Sequence, residues 1–387
     1  MVYTTEITNR SGQYDIENSH QTFLIGEGTL VKSASYGLYE ADKWHENTIV
    51  VNGTIEATST KDAIYSLGDT TSIRIGASGI LTGQRGITAY GDHFTLVNRG
   101  DVTASTGNGI YMAGETASFR NFGTVDGGVS TGSDTASDIR LEKAGTINGS
   151  LFIGAQAGTE THTVNFGTMI GGGSGWAYNS EGGDDTLINR GSMTGSIAME
   201  DGNDLFDNRG GTFVTNRIYG GKGDDTFIVD SHVDITEYAG EGVDTLKSTV
   251  SQDLSSTSFF QDADIETLVL IGKGNINGKG DEIDNALVGN LGNNLLSGRA
   301  GTDMLTGNAG DDVFVFSNDF GKDTVSDFGR GADRIDLSNL DEITGFSDLT
   351  HHHLSMKNGD AVITAGGDML VLDGVTKADL SAADFIF

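Results

Sequence analysis

The chain has 387 residues, and 55 acidic against 23 basic side chains give a formal net charge of −32. That balance excludes nucleic acid and anionic membrane surfaces as partners and points to cations. Cysteine and proline are both absent, which rules out disulfides and thiolate metal sites and leaves nearly every backbone N–H free to pair, as stacked strands require. The acidity is uneven: residues 181–387 carry 37 acids and 13 bases, so a neutralising partner acts mainly on the second half.

The amino-terminal stretch MVYTTEITNRSGQYD has no positively charged start followed by an apolar run. No cleaved signal peptide is expected, and no segment approaches the roughly 20 apolar residues of a membrane span. Residues 1–20 are expected to form an amino-terminal cap. Beyond them a small unit recurs, a glycine, any residue, then an apolar β-former: GTL (28–30), GTI (53–55), GIL (79–81), GDV (100–102), GTV (123–125), GTI (145–147), GTM (167–169), GSM (191–193) and GTF (211–213). Successive glycines lie 20 to 26 residues apart. Asn52, Asn98, Asn121, Asn165, Asn189 and Asn208 stand just ahead of these units, where stacked amides can hydrogen-bond along an axis. A fixed period with short alternating runs between turns predicts an all-β fold, a right-handed parallel β-helix of about 8 coils over residues 21–230.

Within this region AYGDHF places Tyr90, Asp92 and His93 on one coil, with Lys61 and Arg85 nearby. A base, an acid and a charge neutraliser are what a polysaccharide lyase or uronate epimerase needs. A solvent-facing turn explains the same residues, since charged groups cost little there. Tyr65, Tyr111 and Tyr219 recur beside an inward isoleucine, as a sugar-stacking stripe or a filled strand face. GVSTG (128–132) fits the nucleophile-elbow spacing but has no strand-to-helix context.

One corner of the coil changes character along the chain. Counting four residues back from the asparagine gives Phe94, Ala117, Thr161, Asp185 and Asp204, and Asp225 and Asp244 continue the series. Asp185, Asp204, Asp225 and Asp244 are 19, 21 and 19 residues apart, one coil each. Stacked carboxylates repel unless a cation lies between them. Coils rise by about 4.8 Å and calcium holds oxygens at about 2.3–2.6 Å, so an ion between coils reaches both. Gly221 and Gly223 can take positive φ and turn carbonyls toward that ion.

Around these aspartates GGKGDDTFI (220–228) matches the nonapeptide GGxGxDxUx, and GDEIDNALV, GNLGNNLLS, GRAGTDMLT and GNAGDDVFV run in succession without a gap from 280 to 315. Residues 180–387 resemble the repeat-in-toxin family, whose nonapeptides form a calcium-binding parallel β-roll. That resemblance implies an 18-residue coil, which pairs Asn285 with Asp303 and Asn294 with Asp312, with Gly301 and Gly310 as the turn glycines. Asn285 and Asn294 stand where the family has aspartate, so both sites are expected to bind more weakly. DITEYAGEGVDTLKSTVS (234–251) and FVFSNDFGKDTVSDFGRGADRIDLSNL (314–340) look like the segments around such repeats, and LSAADFIF (380–387) is similar to an uncleaved type I export signal. The expected plan is a cap (1–20), a β-helix (21–230) with calcium corners from about 180, a calcium β-roll (231–315), and a carboxyl-terminal cap with export signal (316–387). The expected protein is secreted through a type I apparatus, binds several calcium ions, folds on meeting calcium, and acts structurally or adhesively at a polysaccharide or cell surface. The alternative is a polysaccharide-active enzyme with a repeat-in-toxin tail.

Overall fold

The computed structural model describes residues 3–387 except 59, 133–134, 155–157, 174, 215–216 and 257–263. The chain divides into two compact units, residues 1–222 and 223–387. As the sequence predicts, the architecture is that of a parallel β-solenoid.

In the first unit every coil contributes three short strands, one to each of three faces. Thr48–Val51, Thr54–Ala57 and Ile64–Ser66 form one coil, and Ser72–Ile75, Ile80–Gly83 and Ile87–Ala89 the next, paired in parallel. The second face contains ten strands, hence ten coils among the described residues. The strands form where apolar and polar residues alternate, because successive side chains point to opposite faces. Ile49, Val51, Ile55, Ile64, Ile73 and Leu81 are fully or almost fully buried, and each such side chain contributes about 1.5–3 kcal/mol. The recurring glycine marks a close approach between coils: a Cβ on Gly100 would lie 2.1 Å from the carbonyl oxygen of Gly79, and one on Gly123 2.1 Å from that of Gly100.

Residues 3–16, expected as part of a cap, hold three strands in register with the following coil, with Thr4 opposite Thr22, Arg10 opposite Val31 and Tyr14 opposite Leu38. The asparagine column is real but interrupted. Asn98 Nδ2 donates to Asn121 Oδ1 at 2.9 Å, Asn165 to Asn189 at 2.9 Å, and Asn189 to Asn208 at 2.7 Å. Leu141 occupies the place between Asn121 and Asn165. Asn52 is one residue out of register, because Val51 is the residue opposite Ile75 and Ile75 the one opposite Asn98.

The second unit has two-faced coils. One face runs through Thr226–Val229, Thr245–Ser248, Thr267–Leu270, Ala286–Val288, Met304–Thr306 and Lys322–Val325, all parallel. The other has six strands, from Gln252–Asp253 to Phe385–Ile386. Asp368–Leu372 adds in parallel to Lys322–Val325, and an antiparallel meander of Leu354–Lys357 and Asp360–Ala365 closes that end. Among the described residues no helix is long and apolar enough to cross a membrane.

Candidate metal centre

In the first unit the corner leading into the first face carries the column read from the sequence. Phe94, Ala117, Ser137, Thr161 and Asp185 stand opposite one another in turn, and Asp204 Oδ1 accepts the Asp185 N–H at 2.7 Å. Asp185 Oδ1 accepts the Thr161 hydroxyl. Its Oδ2 is buried without a hydrogen-bond partner, and burial pushes the carboxyl up to about 6.

The second unit repeats this device on both faces. Asp244 Oδ1 accepts from Asp225 N at 2.8 Å, Glu266 Oε2 from Asp244 N at 2.7 Å, Asp303 Oδ1 from Asn285 N at 2.8 Å, and Asp323 Oδ1 from Asp303 N at 3.0 Å. On the opposite face Asp312 Oδ1 accepts from Asn294 N at 2.7 Å and Asp333 Oδ1 from Asp312 N at 3.0 Å. One oxygen of each carboxylate therefore ties the preceding coil.

The other oxygen is the informative one. Oδ2 of Asp303, Asp312 and Asp323 is buried and has no hydrogen-bond partner. Leaving such an atom unpaired costs about 1–3 kcal/mol, more when it is charged. The first glycine of each repeat makes room for it: a Cβ on Gly298 would lie 1.9 Å from Asp303 Oδ2, and one on Gly307 2.4 Å from Asp312 Oδ2. Burial, the largest influence, pushes Asp303 and Asp312 up to about 6 and Asp323 up to about 8. Buried, orphaned carboxylate oxygens facing glycine turns fit a hard divalent cation such as calcium, which takes oxygen ligands. Gly221, Gly223, Gly301 and Gly310 have φ between 108° and 134°, a region L side chains avoid.

The asparagines behave differently. Asn285 Oδ1 accepts from Asp281 N at 2.9 Å and its Nδ2 donates to the Ile265 carbonyl at 3.2 Å. Asn294 Oδ1 accepts from Asn290 N at 2.8 Å, and its Nδ2 donates to the Ile276 carbonyl at 2.6 Å. Both amides cross-tie the turns, each through its Oδ1 and its Nδ2.

Several acids escaped the sequence reading. Glu237 brings a third carboxylate to Asp225 and Asp244, with ligand atoms all within 4.8 Å of one another and all three residues buried. Glu266, Asp323 and Asp333 extend the columns. A glycine two residues before the acid, as in GKD (321–323) and GAD (331–333), would have found the last two. Nothing periodic marks Glu237.

The alternative catalytic residues are not assembled. Tyr90 stacks between Tyr65 and Tyr111 at 5.9 and 5.4 Å between ring centres. His93 faces Thr116 at 3.5 Å and Glu115 at 4.0 Å, and the exposed Asp92 hydrogen-bonds through its backbone N–H to Asp69. Among the described residues the three share no hydrogen bond. Ser130 of GVSTG is buried within a strand.

The family described as Peptidase M10 serralysin C terminal matches residues 177–368. Among solved structures the chain is similar to the extracellular lipase LipA from Serratia marcescens, at 18% identity and a TM-score of 0.23, covering 62% of this chain and 45% of that one. This chain therefore spans less than half the length of that lipase. No curated protein matches it. Over residues 177–368 the chain belongs to the serralysin C-terminal family of repeat-in-toxin proteins.

Proposed function

We propose that this is a secreted calcium-binding solenoid whose acidic region folds when it meets calcium after type I export, and whose first unit presents an adhesive surface. The observation that carries the calcium reading is the set of buried, partnerless Oδ2 atoms of Asp303, Asp312 and Asp323. The ligand residues are Asp185, Asp204, Asp225, Glu237, Asp244, Glu266, Asp303, Asp312, Asp323 and Asp333, with turn carbonyls presented by Gly221, Gly223, Gly301 and Gly310. Calcium, when bound, supplies the positive charge that lets these carboxylates stack. The chain's own part is to hold one oxygen of Asp204, Asp244, Glu266, Asp303, Asp312, Asp323 and Asp333 on a backbone N–H so that the other faces the site.

Ion bound only by the folded form stabilises it by about 2.7 kcal/mol per site at a hundredfold excess over Kd. Calorimetry and circular dichroism of the full chain in EDTA and in calcium test this reading. A calcium-dependent transition, with part of the β signal lost in EDTA, is expected; identical melting in both sinks it.

The adhesive part rests on a patch of tyrosines. Tyr36, Tyr39, Tyr65, Tyr90 and Tyr111 pack ring against ring at 4.6 to 5.9 Å between centres. Lys61 lies over Tyr36 at 4.9 Å and Arg85 over Tyr111 at 5.3 Å. Phenol edges flanked by cations fit a polysaccharide with acidic groups, and Tyr90, packed between two tyrosine rings and sharing no hydrogen bond with Asp92 or His93, suits binding better than turnover. A polysaccharide panel scored for both binding and cleavage separates the two.

A further inference from the structure

On the first face of the first unit, Val50, Arg74, Val97, Arg120 and Arg140 stand opposite one another in turn. The turn after this face adds a second column, Asn52, Gly76, Arg99 and Phe122, each donating its backbone N–H to the coil before it. Several arginines nearby are already neutralised. Glu142 Oε1 accepts from both Arg120 and Arg140, and Asp207 holds Arg190 and Arg209. Arg74 and Arg99 differ: both are exposed, and among the described residues neither guanidinium makes an ion pair or a hydrogen bond. Arg99 lies over the Phe122 ring at 4.0 Å, a contact that steadies the guanidinium and leaves its N–H edges open.

These two arginines border one groove of about 400 Å³. Val50 and Val97 give it apolar surface, Ser72 and Thr95 give hydroxyls, and Asn52 gives an amide. Gly76 makes room for that amide: a Cβ there would lie 1.9 Å from Asn52 Oδ1, so a larger residue would displace it. No carboxylate is among the lining residues, although the chain as a whole carries −32. The next groove along the same face shares Thr95 but is lined by Asp138, Glu160 and Asp184. Like charge excludes an anion there, so the face separates a cationic end from an acidic one.

We propose that this groove binds an acidic polysaccharide through the carboxylate of a uronic acid unit, which Arg74 and Arg99 clamp. The planar guanidinium fork matches the two oxygens of a carboxylate. Asn52, Ser72 and Thr95 take the sugar hydroxyls, and Val50 and Val97 meet the C–H face of the ring. The groove is separate from the tyrosine patch, whose Tyr39, Tyr65 and Tyr111 belong to strands of the third face. It also lies outside residues 177–368, which match the serralysin C-terminal family. It therefore stands or falls apart from adhesion through the patch.

Calorimetric titration of the full chain in calcium, against a short oligogalacturonate, a neutral malto-oligosaccharide and a sulfated one, tests the assignment. The uronate is expected to bind, more weakly as salt rises, and the neutral sugar not to bind. Arg74→Gln and Arg99→Gln should each weaken the uronate about tenfold, the loss of a hydrogen bond to a charged group. Arg120→Gln, in the same row but paired with Glu142, should leave the affinity unchanged, as should Tyr65→Phe in the patch. Unchanged melting curves show that each variant is folded. Failure of the wild type to bind the uronate, or wild-type affinity in both the Arg74 and Arg99 variants, overturns the proposal. If Tyr65→Phe weakens binding and the two arginine variants do not, the sugar sits on the tyrosine patch and the groove is not its site. Tighter binding of the sulfated sugar than of the uronate overturns the carboxylate assignment.

Discussion

Gly298 and Gly307 owe their identity to a carboxylate five residues later, and that makes the reason for the repeat's first glycine testable. Gly298→Ala and Gly307→Ala put a methyl group 1.9 and 2.4 Å from Asp303 and Asp312 Oδ2, an overpacking that costs about 1–3 kcal/mol. Calcium titration should show at least one site weakened about tenfold or more, as that cost implies. Gly274→Ala, whose added Cβ meets only the Ile276 side chain at 3.7 Å, should change stability by no more than about 0.5 kcal/mol. The aspartates themselves were legible in the sequence because one coil separates each from the next. Glu237 was not, since it belongs to a loop with no period, and only the fold brings it to Asp225 and Asp244. Glu237→Gln removes one of three buried carboxylates; because ligand charge sets calcium affinity, the ion held there should bind more weakly by calorimetry, with the Asp303 and Asp312 sites unaffected.

The coil is the next scale, and its length reports how many faces it has. Three strands with three turns take 20 to 26 residues in the first unit, whereas two strands with two turns take 18 between Asn285 and Asp303. Both periods were readable because inter-coil glycines and inward apolar residues must recur at the same place in every coil. The antiparallel closing meander, Leu354–Lys357 with Asp360–Ala365 and Asp368–Leu372, was not readable, because a closing element occurs once and leaves no repeat. The asparagine ladder shows the same limit, since spacing admitted Asn52 and only register removed it. Asn189 donates to Asn208 Oδ1, accepts from Asn165 Nδ2 and accepts the Gly191 N–H. Asn189→Ala takes one hydrogen-bond partner from each of these groups, and the buried Asn208 Oδ1 loses its amide donor, at a cost of about 1–3 kcal/mol. The melting temperature of the first unit should fall by several degrees, and Asn52→Ala, outside the column, should leave it nearly unchanged.

For the whole molecule the decisive quantity is charge, −32 in all with 37 of the 55 acids beyond residue 180. Burial raises Asp303 and Asp312 to about 6 and Asp323 to about 8, whereas an unfolded aspartate titrates near 4. The folded state therefore binds more protons than the unfolded one above about pH 4, and the stability this confers fades as pH rises through about 6 to about 8. In EDTA, urea midpoints for the second unit should be higher at pH 5 than at pH 8. With calcium present the carboxylates are held ionised and protons compete with the ion, so the order should reverse. Asp207 supplies a contrast in the first unit. Burial alone would raise its carboxyl, but Arg209 and Arg190, at 2.7 and 2.6 Å, outweigh it and hold it below the usual range. Its contribution is complete above the unfolded value near 4 and is lost only as acid protonates the paired carboxylate. The first unit should therefore weaken below pH 4 with or without calcium. If the second unit shows the same pH dependence in EDTA as in calcium, its buried aspartates are not the ion's ligands.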